Sequence, residues 1–174
     1  MKKILLSSTV ALSLTLSAAS QEVSPKEKAE ALAKNEFSKS KQVTKQKYGV
    51  IKEKKMVIES TPVVMTDASF YQGNYVYGDL NYRLEIRIDA EKQIMATLTI
   101  GDSQKSVLKN VGINDAYFLA TKINADGTEE TWQGVFINKN DNGTTDFGLG
   151  IKLSKPVELG SLEITKMFFK KVSS

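Results

Sequence analysis

The sequence contains no cysteine and no histidine, and only two of its 174 residues, Arg83 and Arg87, are arginine. Without cysteine the chain can form no disulfide, no thiolate nucleophile and no iron–sulfur cluster. Without histidine it lacks the side chain that most often serves as a general base or a metal ligand near neutral pH. These absences exclude the commonest enzyme and metalloprotein chemistries, and they leave stability to packing rather than to covalent cross-links.

The first twenty residues have the three-part layout of a secretory signal peptide. Lys2 and Lys3 precede an uncharged stretch at residues 4–16, and small residues follow at residues 17–20. The uncharged stretch is too short, and too rich in serine and threonine, to be a good transmembrane helix. We therefore assign residues 1–20 to a signal peptide, and we predict a periplasmic or secreted protein with no membrane span.

Residues 21–38 are predicted to form a short amphipathic helix. Ser24 and Glu27 make a capping box around Pro25, which suits the first helical position. Apolar residues then recur at helical spacing on one face, at Ala29, Leu32, Ala33 and Phe37. A helix of this length is marginal alone, so it needs a surface to pack against.

Residues 39–67 are predicted to be a basic linker that includes an extended segment or edge strand around Pro62. The basic charge is concentrated in residues 26–55, which we call the arm. The arm contains ten lysines and four glutamates, a net charge of +6, whereas residues 56–174 have a net charge of −3. The arm is interpreted either as a solvated linker, which its composition favours, or as a tether in weak contact with an anionic envelope surface. Nucleic acid is not an expected partner, because the arm contains no arginine and few aromatic residues.

Residues 68–174 show the alternation of half-buried β-strands. The clearest case is a hairpin at residues 82–88 and 94–100, where apolar side chains occupy every second position. About eight short strands follow one another with connections too short for helical crossovers, so neighbouring strands must be antiparallel. The sequence therefore predicts a mainly β protein, an antiparallel up-and-down barrel of about eight strands, with a two-sheet sandwich as the alternative.

The segment that opens this domain resembles the first strand of lipocalin-like (calycin) barrels. That strand carries a glycine followed two residues later by a tryptophan, and here Tyr75 stands two residues after Gly73. In the family a basic residue late in the last strand packs near this aromatic, a role that the resemblance implies for Lys166 or Lys170. Over residues 70–172 the resemblance implies a domain that binds or carries a small ligand. The order of helix, linker and β domain is also similar to that of uncharacterised secreted bacterial proteins.

Four aromatic residues are the candidate ligand-binding residues. Tyr71, Tyr75 and Tyr77 fall on one face of the predicted first strand, and with Trp132 they are expected either to line a mouth that stacks on a ring or simply to pack in the core. The sequence contains no nucleophile elbow, phosphate loop or recognisable pair of carboxylates. We therefore expect no enzymatic activity, no catalytic residue, no metal site and no cofactor.

Two functions fit this description. The first is an exported, non-enzymatic barrel that binds a small apolar or aromatic ligand in a shallow cleft. The second is a filled barrel that serves as a structural or interaction module of the cell envelope, contacting a macromolecule through its outer face or its basic arm. A barrel of eight strands is just wide enough for either, so the volume left by the inward side chains separates the two.

The signal-peptide assignment predicts the mass of the exported protein. Because cleavage is expected near Ala19 or Ser20, the secreted chain should begin close to Gln21. Intact-mass spectrometry of protein recovered from the periplasm or medium measures this directly. A mass that retains Met1 to Ala19 would contradict the assignment.

Overall fold

The computed structural model describes residues 23–47, 50–78, 81–157 and 161–172, so the predicted signal peptide lies outside the described residues. Helix α1 spans Pro25–Leu32 and continues into a π-helical turn at Ala33–Phe37. In the described ranges no helix combines the length and the apolar content needed to cross a bilayer. The strands are β1 (Lys39–Lys47), β2 (Val50–Pro62), β3 (Gly73–Tyr77), β4 (Tyr82–Ile88), β5 (Ile94–Ile100), β6 (Gln104–Val107), β7 (Lys109–Asn114), β8 (Tyr117–Ile123), β9 (Glu129–Asp141), β10 (Thr144–Pro156) and β11 (Leu162–Val172).

Helix α1 begins at the predicted capping box. The Ser24 hydroxyl accepts a hydrogen bond from the Glu27 N–H at 3.2 Å, and the Glu27 carboxylate accepts one from the Ser24 N–H at 2.9 Å. Two N–H groups that the helix itself cannot satisfy are therefore bonded at its N-terminus. The prediction of one short helical segment that ends near Phe37 is confirmed.

The lysine-rich segment forms a β-hairpin. Strand β1 pairs antiparallel with β2 from Lys39–Ile58 to Lys47–Val50. Strand β2 then pairs with β9 through its last five residues, Ile58–Pro62. The segment that composition predicts to be a linker thus forms two paired strands. Strand pairing satisfies the backbone N–H and C=O groups whatever the polarity of the side chains.

The remaining strands are arranged around β9. Strand β10 pairs along one edge of β9, while β8 and β2 share the other edge, opposite residues 129–135 and 137–141. From β10 the sheet continues through β11, β3, β4, β5 and β6, and β7 pairs with β8. Each of these pairs is antiparallel, so the prediction of a mainly β, antiparallel protein is confirmed.

The closed barrel of eight strands is not confirmed by these pairings. The described residues form eleven strands, and the pairings do not close the sheet into a ring. The arm adds β1 and β2, and the segment after β5 is divided at Leu108 into β6 and β7, which have different partners. The predicted first strand is also shorter than expected, because Ala68–Tyr71 forms a 3-10 turn with its N-terminus capped by Asp67.

The inner face of the sheet forms the main core. The predicted alternation in the hairpin of β4 and β5 is confirmed, since Leu84 and Ile86 are buried whereas Arg83 and Arg87 are exposed. Strands β9 and β10 contribute the same way, with every second residue buried against this cluster. The fully buried large side chains of the inner core are Tyr71, Tyr75, Leu84, Ile86, Leu98, Phe118, Trp132, Phe136, Leu149, Ile151 and Phe169.

Helix α1 covers part of the outer face. Ala29, Ala33 and Phe37 pack with Val135 and Ile137 of β9 in a second, smaller core. Beside this second core, Glu36 forms ion pairs with two lysines. Its Oε1 lies 3.0 Å from Lys152 Nζ, and its Oε2 pairs with Lys166. A hydrogen bond from Lys166, and to a smaller extent one from Lys152, lowers the pKa of the Glu36 carboxyl. The folded state therefore favours the ionised form of Glu36.

The burial pattern predicts opposite outcomes for two neighbouring residues of β4. Ile86 is 1% exposed, so Ile86→Asp places a carboxylate in the inner core and should unfold the protein or nearly so. Glu85, whose side chain is 38% exposed and paired with Arg87, is expected to tolerate alanine with a loss of less than about 1 kcal/mol. Thermal melts of the two variants are the measurement. Equal damage from both would mean that the two faces of β4 are misassigned.

Candidate functional site

A cavity of about 220 Å³ lies at one end of the sheet, which we call the cavity end. Seven strands contribute to its lining: β3, β4, β5, β8, β9, β10 and β11. Its walls are mainly apolar and include Tyr77, Tyr82, Ile100 and Leu153, while Lys122 and Glu130 provide a polar side. Because so many strands meet here, the cavity depends on the curvature of the whole sheet rather than on one loop.

The alternation of β8 and β9 brings charged groups to this inner surface. On β9, Glu130 lies two residues before Trp132, so both lie on the face of the buried Phe136. On β8, Lys122 lies two residues after the buried Ala120 and shares its face. The inward direction of the two charges follows from the same two-residue period that buries their apolar neighbours.

Lys122 and Glu130 form a nearly buried polar network with Asn124. The Lys122 ammonium lies 3.5 Å from Glu130 Oε2 and donates to Asn124 Oδ1 at 2.6 Å. Asn124 Nδ2 in turn donates to Glu130 Oε1 at 2.9 Å. The side chains of the ion pair are only 13% and 11% exposed, so each charge needs the other to offset its loss of hydration.

Trp132 lines the same cavity and carries an unsatisfied donor. Its side chain is 1% exposed, and its indole Nε1–H is buried without a hydrogen-bond partner among the described residues. A buried donor left unpaired costs about 1–3 kcal/mol, so native proteins retain few of them. The cavity end thus combines apolar walls, an ion pair and a tryptophan whose N–H is unpaired in the described part of the chain.

Tyr71 and Tyr75 do not line this cavity. The Tyr71 hydroxyl donates to the Val63 carbonyl at 2.6 Å and accepts from the Met65 N–H at 2.9 Å, and the Tyr75 hydroxyl donates to the Tyr71 carbonyl at 2.6 Å. Burial raises the pKa of both phenols. The Tyr71 ring stacks on Phe136 at 4.2 Å between centroids. Of the four predicted ligand-binding residues, the structure therefore brings only Tyr77 and Trp132 together in the cavity.

Tyr71 and Tyr75 instead hold residues 63–72 against the other end of the sheet, which we call the packed end. The Gln72 side chain accepts a hydrogen bond from the N–H of Ile88, the last residue of β4, at 3.2 Å. The cavity, by contrast, is lined by Tyr82, the first residue of β4. The two ends of the sheet thus differ, one filled by aromatic packing and the other containing a cavity.

The basic residue near Tyr75 is Lys171, so the expectation for Lys166 or Lys170 is wrong. Lys171 is opposite Tyr75 in the β11–β3 register, and its Nζ lies 5.8 Å from the Tyr75 ring centroid. Its Nζ also lies 5.3 Å from the Phe70 ring, it donates to the Phe70 carbonyl at 2.7 Å, and burial lowers its pKa. Lys166 and Lys170 occupy the alternate positions of β11 and pair with Glu36 and Asp146.

Comparison with known proteins adds no relative to this description: no family model, curated protein or solved structure matches the chain. The resemblance to lipocalin-like barrels therefore stays a prediction from the sequence. Any function must be argued from the residues of the cavity and of the outer surface themselves.

The buried ion pair predicts that losing one of its charges destabilises the protein more than losing both. Lys122→Met should lower the free energy of unfolding by about 2–3 kcal/mol, because Glu130 would stay buried without its cation. The double variant Lys122→Met with Glu130→Leu should recover most of that loss, since no charge is then left unpaired.

Urea unfolding measures Lys122→Met, Glu130→Leu and the double variant, with Lys105→Met as the control. Lys105 is exposed on β6, and its loss should change stability by less than about 0.5 kcal/mol. If the double variant loses the full sum of the two single changes, the charges are not coupled.

Proposed function

We propose that the protein is an exported, non-enzymatic β-barrel protein that binds a small aromatic ligand in the cavity beside Trp132. The observation that carries this proposal is Trp132, which lines a cavity of about 220 Å³ and whose buried indole N–H has no acceptor among the described residues. A ligand oxygen placed there would satisfy that donor while its ring replaces water against apolar walls.

The proposal includes a closed barrel of eight strands, in which β6 and β7 together count as one strand between β5 and β8. The other strands of this barrel are β3, β4, β5, β8, β9, β10 and β11. Strand β6 pairs with β5 and β7 pairs with β8, and only Leu108 separates the two strands in the chain. The Leu108 N–H also donates to the Ala96 carbonyl of β5 at 2.9 Å. One continuous segment thus links β5 to β8, the two ends of the order β8-β9-β10-β11-β3-β4-β5. This link supports a closed barrel, with the interior volume that eight strands allow.

The size and polarity of the cavity indicate the class of ligand. Pockets for drug-sized molecules usually have volumes of about 300–1,000 Å³, so this smaller cavity suits a compound of one or two rings. Tyr77 and Tyr82 offer aromatic faces, which stack well on a flat ring. The Trp132 donor favours a ligand with a hydroxyl or carbonyl oxygen over a pure hydrocarbon.

The filled structural barrel is the alternative function. Large side chains do occupy most of the inner face, including Leu84, Ile86, Phe118 and Phe136. At the cavity end, however, these side chains leave a space lined in part by two charged residues. This space supports the ligand-binding function over the filled module.

The test uses the single tryptophan as a built-in reporter. Because the chain has one tryptophan, its ¹⁵N–¹H spectrum should contain one indole N–H signal, and 2-naphthol should shift it with a Kd below about 1 mM. Naphthalene has no oxygen to accept the N–H, so it should bind about tenfold more weakly or not at all.

A pair of matched variants locates the binding. Thr165→Phe should block the cavity that Thr165 lines, whereas Thr99→Phe makes the same change on the opposite face of β5, next to Ile100. Binding should disappear in the first variant and persist in the second. The proposal fails if neither compound moves the indole signal, or if both variants lose binding equally.

A further inference from the structure

The hairpin of β1 and β2 carries a second functional surface, independent of the cavity. We propose that one face of this hairpin, which we call the basic face, binds the surface of an anionic phospholipid bilayer. The basic face is defined by the alternate strand positions that include Lys39, Lys41, Lys45, Lys47, Lys52 and Lys54.

The register of the hairpin sorts the lysines onto one face. Lys39 pairs with Ile58, Lys45 with Lys52 and Lys47 with Val50, so odd positions of β1 share a face with even positions of β2. Six of the seven lysines between residues 39 and 55 fall on that face, whereas the opposite face contains the seventh lysine and Glu53. The positive charge of the hairpin therefore falls mostly on the strand positions of one face.

At one position of the basic face, the register places two lysines opposite each other across the strand pair. Lys45 and Lys52 are directly opposite each other, and like charges in this position destabilise a strand pair. No aspartate or glutamate occupies any of the positions that share this face within β1 and residues 50–58 of β2. A layer of negative charge against the face would remove the repulsion.

The residues between the lysines favour a bilayer over a nucleic acid. Val43, Val50, Met56 and Ile58 share the basic face, and lysines mixed with apolar residues on one face are typical of segments that lie at a membrane interface. Surfaces that bind single-stranded nucleic acid add arginine or stacking aromatic residues, and the basic face contains neither.

The hairpin also has the reach to contact a flat surface. Its last pairing with β9 in the described sheet is at Ile58, and the hairpin continues to Val50, about 26 Å further at the usual rise per strand residue. Several lysine positions therefore lie along a segment that extends beyond β9, and each lysine near an anionic surface adds to the attraction.

Vesicle sedimentation tests the proposal with protein purified from cells that express the complete chain. The protein should sediment with vesicles that contain phosphatidylglycerol and stay in solution with pure phosphatidylcholine. Raising the salt to about 0.5 M should release it, because salt screens charges beyond a few ångströms. This salt reversal tests the wild-type protein without any variant.

Two variants with equal loss of charge identify the surface. Changing Lys41, Lys45, Lys52 and Lys54 to glutamine should weaken vesicle binding by about tenfold or more. The control changes Lys26, Lys28, Lys105 and Lys109, which are exposed lysines elsewhere in the molecule, to glutamine and should leave binding within about twofold. Equal losses in the two variants, equal binding to both vesicle types, or binding to a single-stranded oligonucleotide without binding to vesicles would each overturn the proposal.

Discussion

The antiparallel pairing of β9 with β10 is the interaction on which both cores of the molecule depend. Its register runs from Thr144–Asp141 to Ser154–Thr131 without a shift, so each strand keeps strict alternation over its length. Trp132 and Phe136 therefore point to the inner core, while Val135 and Ile137 meet helix α1. A slip of one residue would exchange these two sets and expose both cores to water.

Glycines on this strand pair let the neighbouring layers approach. A Cβ on Gly134 would lie 2.7 Å from Ile151 Cδ1 on the inner face, and a Cβ on Gly150 would lie 2.8 Å from the Phe37 ring on the outer face. The helix thus packs directly on the backbone of β10, and the interior can hold large side chains on the neighbouring strands.

The aromatic packing and the cavity lie at opposite ends of the sheet. At the packed end, the tyrosine hydroxyls are bonded to backbone carbonyls and Lys171 lies among aromatic rings. At the cavity end, the ion pair of Lys122 and Glu130 lines a space that side chains do not fill. Trp132 lines the same space, and its indole N–H has no acceptor among the described residues. The polar groups at the cavity end were missed from the sequence because Lys122 and Glu130 look like breaks in an apolar pattern, although they keep its two-residue phase.

The sequence by itself determined the local features: the capped helix, the alternation of β4 and β5, and the antiparallel, mainly β class. These depend on neighbours within a few residues, where side-chain period and cap chemistry decide. Only the tertiary structure decided which faces meet across the sheet. Lys171 lies near Tyr75 because of the β11–β3 register, and six of the seven lysine positions of the hairpin share one face because β1 pairs with β2 in the observed register. Pairing between strands far apart in the chain follows from packing of the whole sheet, which no local pattern encodes.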